Sequence, residues 1–344
     1  MPRGERVVIV GAGIMGRAAA WQLALAGASV EVLDRQPDPG PLAAGGERAA
    51  AWTGSSHGAT RGLRYAYEDP AYARLAMHAE NWWRVAERLS GCELLRMTGG
   101  LDIGSPDATT FERTLETVSA LGLEHELLDA AALRSRFSAF ELPPGMQALY
   151  QPGAGLIEAA DAMDTFAALA RDAGARFSFG SSVQRVVVDE AITLTVDRGG
   201  SAEELVCDRL VLAAGPWTED LLRAAEGELR PVRPDLTVLR CEPVYLESEA
   251  TVDLDVLCYV HPDPPGEAGK PRFTDGVYVQ PQRPAGGGGT RIKVGRHGGV
   301  RVARPADAVG DEPLEDHRRL AARLDAMPTF ADARLVGRDT CFYT

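Results

Sequence analysis

Arg6-Val-Val-Ile-Val10 runs directly into Gly11-Ala-Gly-Ile-Met-Gly16, and an Ala-rich stretch follows. A short β-branched apolar run, then G-x-G-x-x-G, then helix formers predicts strand, tight turn and helix. Each glycine has its own task in that geometry. Gly11 allows the turn, Gly13 lets a pyrophosphate approach the backbone, and Gly16 lets helix and strand pack closely. Amides at the helix N-terminus then face the phosphates and favour their charge. The next strand, Ser29-Val-Glu-Val-Leu33, closes on Asp34, spaced to bond a ribose hydroxyl. Strand, fingerprint, helix and acid together predict a dinucleotide site rather than a plain βαβ unit.

The rest of the composition narrows the class. A chain of 344 residues suits about two domains and a sizeable core. Its 45% hydrophobic and 25% charged content is ordinary for a soluble globular protein. The net charge of −13 disfavours nucleic acid and acidic membrane surfaces as partners. No stretch has a signal-peptide pattern or a membrane-spanning length, so a cytoplasmic protein is expected. Five cysteines, Cys92, Cys207, Cys241, Cys258 and Cys341, lack C-x-x-C spacing, and the six histidines lack H-x-x-x-H pairing. No metal site or disulfide framework is expected. Only two of the 36 basic residues, Lys270 and Lys293, are lysine. A lysine inside a strand of so arginine-biased a chain stands out, because arginine supplies charge equally well at most exposed positions.

Past a Pro/Gly/Ala-rich loop (residues 37–46) comes Trp52-Thr-Gly-Ser-Ser-His-Gly-Ala-Thr-Arg61. Helices are predicted over about 71–89, 107–121 and 159–173. The first should bury Ala73, Leu75, Ala76, Trp82, Trp83, Val85 and Ala86, with the tryptophan pair packed in the core. Strands are predicted around 177 and over 183–188. Asp208-Arg-Leu-Val-Leu-Ala-Ala-Gly-Pro-Trp217 reads as a buried strand ending at Gly215, with a helix from about Thr218. Residues 237–301 read as antiparallel, with 277–281 and 291–295 flanking a glycine run at 286–289 as a hairpin with a flexible tip. That run lacks the Lys-Ser/Thr of a P-loop. The expected fold is therefore α/β, a Rossmann-like nucleotide-binding domain carrying an inserted antiparallel-sheet domain. The nucleotide-binding part is drawn over 1–85, 146–220 and 310–344, and the substrate part over 86–145 and 221–309.

Five segments in order resemble monomeric sarcosine oxidase and N-methyltryptophan oxidase. They are Gly11 to Gly16, Ser55-Ser-His-Gly-Ala-Thr-Arg-Gly-Leu-Arg64, Leu210 to Trp217, Ile292-Lys-Val-Gly-Arg-His297 and Cys341-Phe-Tyr-Thr344. These families belong to the glycine oxidase/D-amino acid oxidase group. The resemblance implies FAD rather than NAD. It implies oxidation of a secondary or N-methylated amino acid to an imine, with molecular oxygen reduced to hydrogen peroxide, by a monomer. It places FAD contacts at Gly11, Gly13, Ile14, Met15, Gly16, Asp34, Arg35, Ser55, Ser56, His57, Arg61, Val183, Ala214, Gly215 and Trp217. Cys341 becomes the covalent anchor through sulfur, although composition alone makes it a small buried hydrophobe.

The same resemblance distributes the chemistry. Lys293 stands near the flavin edge as the charge that assists oxygen, where the residue alone reads equally as a solvated strand lysine. Arg61 lies near the ring and Arg64 grips the substrate carboxylate through its planar fork, where sequence alone also permits two surface arginines. His57, His297 and Tyr343 complete the catalytic set, and either histidine could be purely structural.

Two departures are expected. Alignment puts Val279 where the family carries an aromatic hydroxyl, with Tyr278 on the opposite face of a regular strand. The family also continues past the position of Thr344 with a strand, a Gly-rich turn and a helix that supply flavin contacts and a lysine for the substrate carboxylate. This leaves open a longer chain or a natural short form. It also leaves open an amine dehydrogenase that passes electrons to a partner protein, or an inactive flavin-binding homologue.

Overall fold

The protein is seen in a computed structural model that describes residues 4–38, 40, 54–227, 234–250, 254–262, 276–282, 289–302, 305, 324, 327–330 and 332–343. The opening strand Arg6–Val10 pairs in parallel with Ser29–Leu33 on one side and Arg209–Leu212 on the other. Arg176–Ser178 adds a fourth parallel strand outside Ser29–Leu33. Alternate residues of the opening strand serve different layers. Val7 and Ile9 pack with Ala20, Trp21 and Phe166 beneath the helices Ile14–Leu25 and Ala159–Asp172. Val8 and Val10 pack instead with Val186, Leu194 and Val196. Burial on both faces is why this segment is a continuous β-branched run, as parallel sheets require.

The second layer comes from Ser181–Val188, Ile192–Arg198 and Ser201–Cys207, an antiparallel meander over the outer face of the parallel sheet. A β-bulge falls between Val183 and Arg185. Such an irregularity re-aims the backbone at the edge of a site.

An eight-stranded sheet forms the other half. Its order is 334–338, 244–248, 290–297, 276–282, 257–260, 100–104, 147–151 and 126–128, antiparallel except between 257–260 and 100–104. Its period of two sorts the side chains. Val244, Leu246, Val277, Val279, Ile292 and Val294 face a dry core with Phe140, Met327 and Phe330. Tyr245, Tyr278, Gln280 and Lys293 take the other face, at paired positions on three neighbouring strands. The α/β fold with an added, mostly antiparallel sheet is thus the one read from the pattern. Gln147–Gln151 and Arg334–Arg338 hydrogen-bond into the large sheet, although the sequence groups them with the nucleotide-binding portion.

Helix Pro70–Ser90 starts on Asp69, whose side chain accepts from the Ala71 N–H, and ends at Gly91 with φ 73°. The expected apolar stripe holds for Ala73 and Ala86 but fails at Leu75, which is 64% exposed, and at Trp82, 40% exposed. Leu75 lies two residues from Ala73, about 200° around the helix, so both cannot face the core. Trp83 does pack, edge-on to Phe166. The tip of the hairpin at 286–288, Lys270, residues 41–53, most of 303–326 and Thr344 lie outside the described residues. Among the described residues no helix is long and apolar enough to cross a membrane.

Candidate cofactor and active site

The fingerprint forms a cradle made of backbone. Gly11 has φ 109°, and a Cβ there would stand 2.3 Å from the Ala213 carbonyl oxygen. A Cβ on Gly16 would stand 1.8 Å from the Gly11 carbonyl oxygen. The turn is therefore sealed against any side chain. Helix Ile14–Leu25 has no side-chain cap on its N-cap residue Gly13 and no acid in its first turn, while Ser56 Oγ accepts from its first N–H, that of Ile14, at 3.1 Å. Uncapped amides with the positive end of the dipole make an anion site. Beneath it, Arg17 is buried and donates to the carbonyls of Ala12 and Met163, both at 2.7 Å. That guanidinium locks the turn to the helix Ala159–Asp172.

A cavity of about 980 Å³ opens from this cradle. It is lined by Gly11, Gly13, Ile14, Met15, Asp34, Arg35, Ser55, Ser56, His57, Val183, Ala214, Gly215, Trp217 and Tyr343, all expected site residues. Its size is at the upper end for cofactor pockets. Asp34 lines the cavity and accepts from the Ala12 and Gln36 N–H groups at 2.7 and 2.8 Å, one on each carboxylate oxygen. The Arg35 guanidinium lies 4.4 Å from the Trp217 ring centre, a flat wall of the kind that stacks on a planar ligand.

At the far end the backbone gives way to side chains. Ser55 Oγ donates to the Phe342 carbonyl, and Phe342 N–H donates to Gly54 O at 3.3 Å, so the 54–57 loop is stitched to 339–343. Arg61 spends its donors on carbonyls of Ser55, His57 and Thr60. The position a Gly58 Cβ would take is 3.2 Å from Arg61 Nη1, 3.5 Å from Asp339 Oδ2 and 3.9 Å from Lys293 Nζ. Two cations and one carboxylate thus converge on one spot. His57 Nε2 is 2.8 Å from Asp339 Oδ1.

Burial shapes the charges there. Lys293 is 3% exposed, and desolvation followed by the positive Arg61 pushes its ammonium down to about 7, against the pull of Cys341 and Asp339. Burial would raise the Asp339 carboxyl, but His57, Lys293 and the Thr340 N–H hold it below its ordinary value. The Cys341 thiol is lowered, first by a hydrogen bond from Cys241 and then, against burial, by Arg61, Lys293 and His57.

The outer edge is aromatic. Burial raises the hydroxyls of Tyr278 and Tyr343, and Tyr278 O–H donates to Tyr343. The His297 ring lies 6.3 Å from Tyr343 and 5.4 Å from Tyr259. Arg64 stacks on Tyr259 at 4.3 Å and Tyr67 at 4.9 Å, while its Nη1 donates to Asp102 Oδ1 at 3.2 Å. Thr60 Oγ1 donates to Gln280 Oε1 and accepts from Gln282 Nε2, tying the arginine strand Thr60–Leu63 to the large sheet.

Of the expected residues, Gly16, Arg61, Arg64, Lys293, His297 and Cys341 do not line the cavity. Arg61 and Lys293 converge beside His57 at its end, and Arg64 and His297 meet Tyr259, with the His297 ring next to Tyr343. One expectation fails. Val279 is fully buried in the core, and Tyr278 takes the site face beside Tyr343. The aromatic hydroxyl is present, because a one-residue offset in alignment exchanges the faces of a strand. Residues the sequence did not single out are Asp339, Tyr245, Cys241, Tyr259 and Asp102. Asp339 sits two residues before Cys341, the one signal that could have drawn notice to it.

The comparisons fit this geometry. Residues 6–337 match the model of the DAO family, FAD dependent oxidoreductase. The chain belongs to that family. It is 27% identical to a monomeric sarcosine oxidase of Bacillus sp. (strain NS-129) over 71% of this chain and 60% of that one. A second, from Bacillus sp. (strain B-0618), is 26% identical over 98% of this chain and 80% of that one. The chain thus spans three-fifths of the first relative's length and four-fifths of the second's. Among solved structures, the open form of NikD, an unusual amino acid oxidase essential for nikkomycin biosynthesis, superposes with a TM-score of 0.78. That match has 26% identity and covers 99% of this chain and 82% of NikD. The family indicates FAD, and the glycine cradle, the bare helix start and the long cavity suit its pyrophosphate and two ring systems.

Proposed function

We propose that this chain is an FAD-dependent oxidase of a secondary or N-methylated amino acid, releasing an imine and hydrogen peroxide, with FAD held covalently through Cys341. The observation that carries the reading is the convergence of Arg61, Lys293 and Cys341 at the end of the cavity that the fingerprint opens. FAD held by the glycine cradle and this cavity would supply the hydride acceptor and the route for electrons to oxygen.

The chain's residues do the rest. Arg64 is held flat between Tyr67 and Tyr259, with one edge on Asp102. Its outer edge grips the substrate carboxylate and fixes the α-carbon, converting a bimolecular encounter into an oriented one. Tyr278, Tyr343 and His297 wall the amine and exclude water. Arg61, fixed by the carbonyls of Ser55, His57 and Thr60, would hold a positive charge beside the cofactor without moving. Lys293 stabilises negative charge as oxygen gains electrons; a unit charge about 4 Å away gains roughly 4 kcal/mol at an effective dielectric near 20. The imine leaves and hydrolyses in water.

A peroxide assay across N-methyl amino acids and proline-like amines, with Lys293→Met as control, tests this. Peroxide from at least one of them, lost in the variant, supports the oxidase. Substrate bleaching of the flavin with slow recovery in air would instead point to a partner protein as electron acceptor, and flavin that no amine bleaches would point to an inactive homologue.

A further inference from the structure

Cys341 is not alone. Strands Val238–Cys241 and Cys341–Tyr343 are antiparallel, and Cys241 stands directly opposite Cys341. Opposite residues share a face with Cβ atoms about 4.5–5.5 Å apart, within slight adjustment of disulfide reach. Both thiols are free and buried, at 4% and 6% exposure. Cys92 is exposed on its own, while Cys207 and Cys258 lie in other strands. From behind, Cys241 is held by the Gly298 carbonyl, 2.8 Å from its sulfur. Its cross-strand partner is Cys341, whose thiol the positive charges of Arg61, Lys293 and His57 also stabilise as thiolate. Phe342 and Tyr343, the residues that follow Cys341 on the strand, line the cavity, so the anchor sits one residue behind its wall. Nothing in the proposed oxidation uses Cys241.

We propose that Cys241 is the resolving partner of Cys341, and that in the flavin-free chain a Cys241–Cys341 disulfide withdraws the anchor sulfur, so that covalent flavin attachment is open only to the reduced chain. This rests on reading Cys341 as the anchor. The surrounding cations favour a thiolate at Cys341, and a thiolate beside a second thiol is the arrangement of redox-sensing pairs. The oxidant is hydrogen peroxide, which the proposed reaction itself releases. Cys341 thiolate attacks one peroxide oxygen; a sulfur–oxygen bond forms, the oxygen–oxygen bond breaks, and hydroxide leaves to be protonated. The Cys241 thiol then displaces the sulfenic oxygen as water and forms the sulfur–sulfur bond, its proton leaving with that water. Two thiols lose two electrons and one peroxide becomes two waters. Once sulfur is bonded to flavin it has no lone thiolate to oxidise, so the device acts before loading and spares the working enzyme.

The test uses full-length chain from riboflavin-starved cells, treated with hydrogen peroxide, then with or without dithiothreitol, then with FAD. Peptide mass spectrometry should find the Cys241 and Cys341 peptides joined and two hydrogens lighter than the separate thiols. Flavin in the acid-precipitated pellet should fall at least about tenfold after peroxide and return with dithiothreitol. In Cys241→Ser the loss should be irreversible, because an unresolved sulfenic acid proceeds to sulfinic. Oxidised wild type with no joined peptide, or with undiminished attachment, overturns the switch. A joined peptide in a chain whose reduced form takes up no covalent flavin overturns the anchor reading instead, and the switch with it.

Discussion

The two ends of the cavity are built from different materials. The nucleotide end is backbone: a glycine turn, uncapped amides and a buried arginine that ties carbonyls together, all within about thirty residues of sequence apart from its packing partners. The chemical end is side chain: Arg61, Lys293, Asp339 and Cys341 arrive from three separated segments and three sheets. At the first end an added atom on Gly11 or Gly16 would collide with backbone; at the second, charges meet across strands. The lesson is that binding geometry here is written locally, and reactivity is assembled by topology.

Substitutions can break that contrast in order of size. Lys293→Met should slow the reaction of reduced flavin with oxygen by about a thousandfold, the kinetic equivalent of roughly 4 kcal/mol, while flavin binding and Tm are preserved. Stopped-flow reoxidation in air measures it, and equal rates would remove Lys293 from the chemistry. Gly16→Ala should act oppositely. Its Cβ would collide with the Gly11 carbonyl, costing about 3 kcal/mol and lowering Tm by roughly 10 °C, with flavin content falling in step. A stable Gly16→Ala protein with full flavin would mean the cradle is looser than it looks.

Next in size is Asp339→Asn. The carboxylate holds His57 at 2.8 Å and helps to keep Lys293 charged. Its loss should cost about 2 kcal/mol of stability and lower the Lys293 pKa further. The pH profile sharpens the same point. Lys293 titrates at about 7, so its ammonium is present below that pH and disappears as pH rises through it. The oxygen step in wild type should therefore slow with increasing pH, by at most tenfold per unit, while Lys293→Met stays flat. A profile that is flat in both would separate oxygen reactivity from this charge. Smallest is Tyr278→Phe, which removes one hydroxyl from the aromatic edge and should change KM or kcat by about fivefold, near 1 kcal/mol.

Legibility followed the same divide. The strand, turn, helix and Asp34 were readable from spacing because each depends on neighbours in sequence. Arg61, Arg64 and Cys341 are readable only through family resemblance, since isolated residues of these types are ordinarily surface or core groups, while Lys293 also stands out as one of only two lysines among the 36 basic residues. Tyr278 was assigned to the wrong face because face depends on register, and register is settled by cross-strand pairing with 290–297 rather than by the strand's own residues. Asp339, Cys241 and Arg17 were invisible for a related reason. Their partners lie 282, 57 and 146 positions away, and no local pattern marks so distant a hydrogen bond.

The most direct test locates the flavin itself. Acid-precipitated wild-type protein, digested and analysed by mass, should carry one flavin on the peptide that contains Cys341, and Cys341→Ala should release its flavin to the supernatant while remaining yellow before precipitation. Protein that is colourless when native, or flavin bonded to a different residue, would contradict a single cofactor spanning the backbone end and the side-chain end.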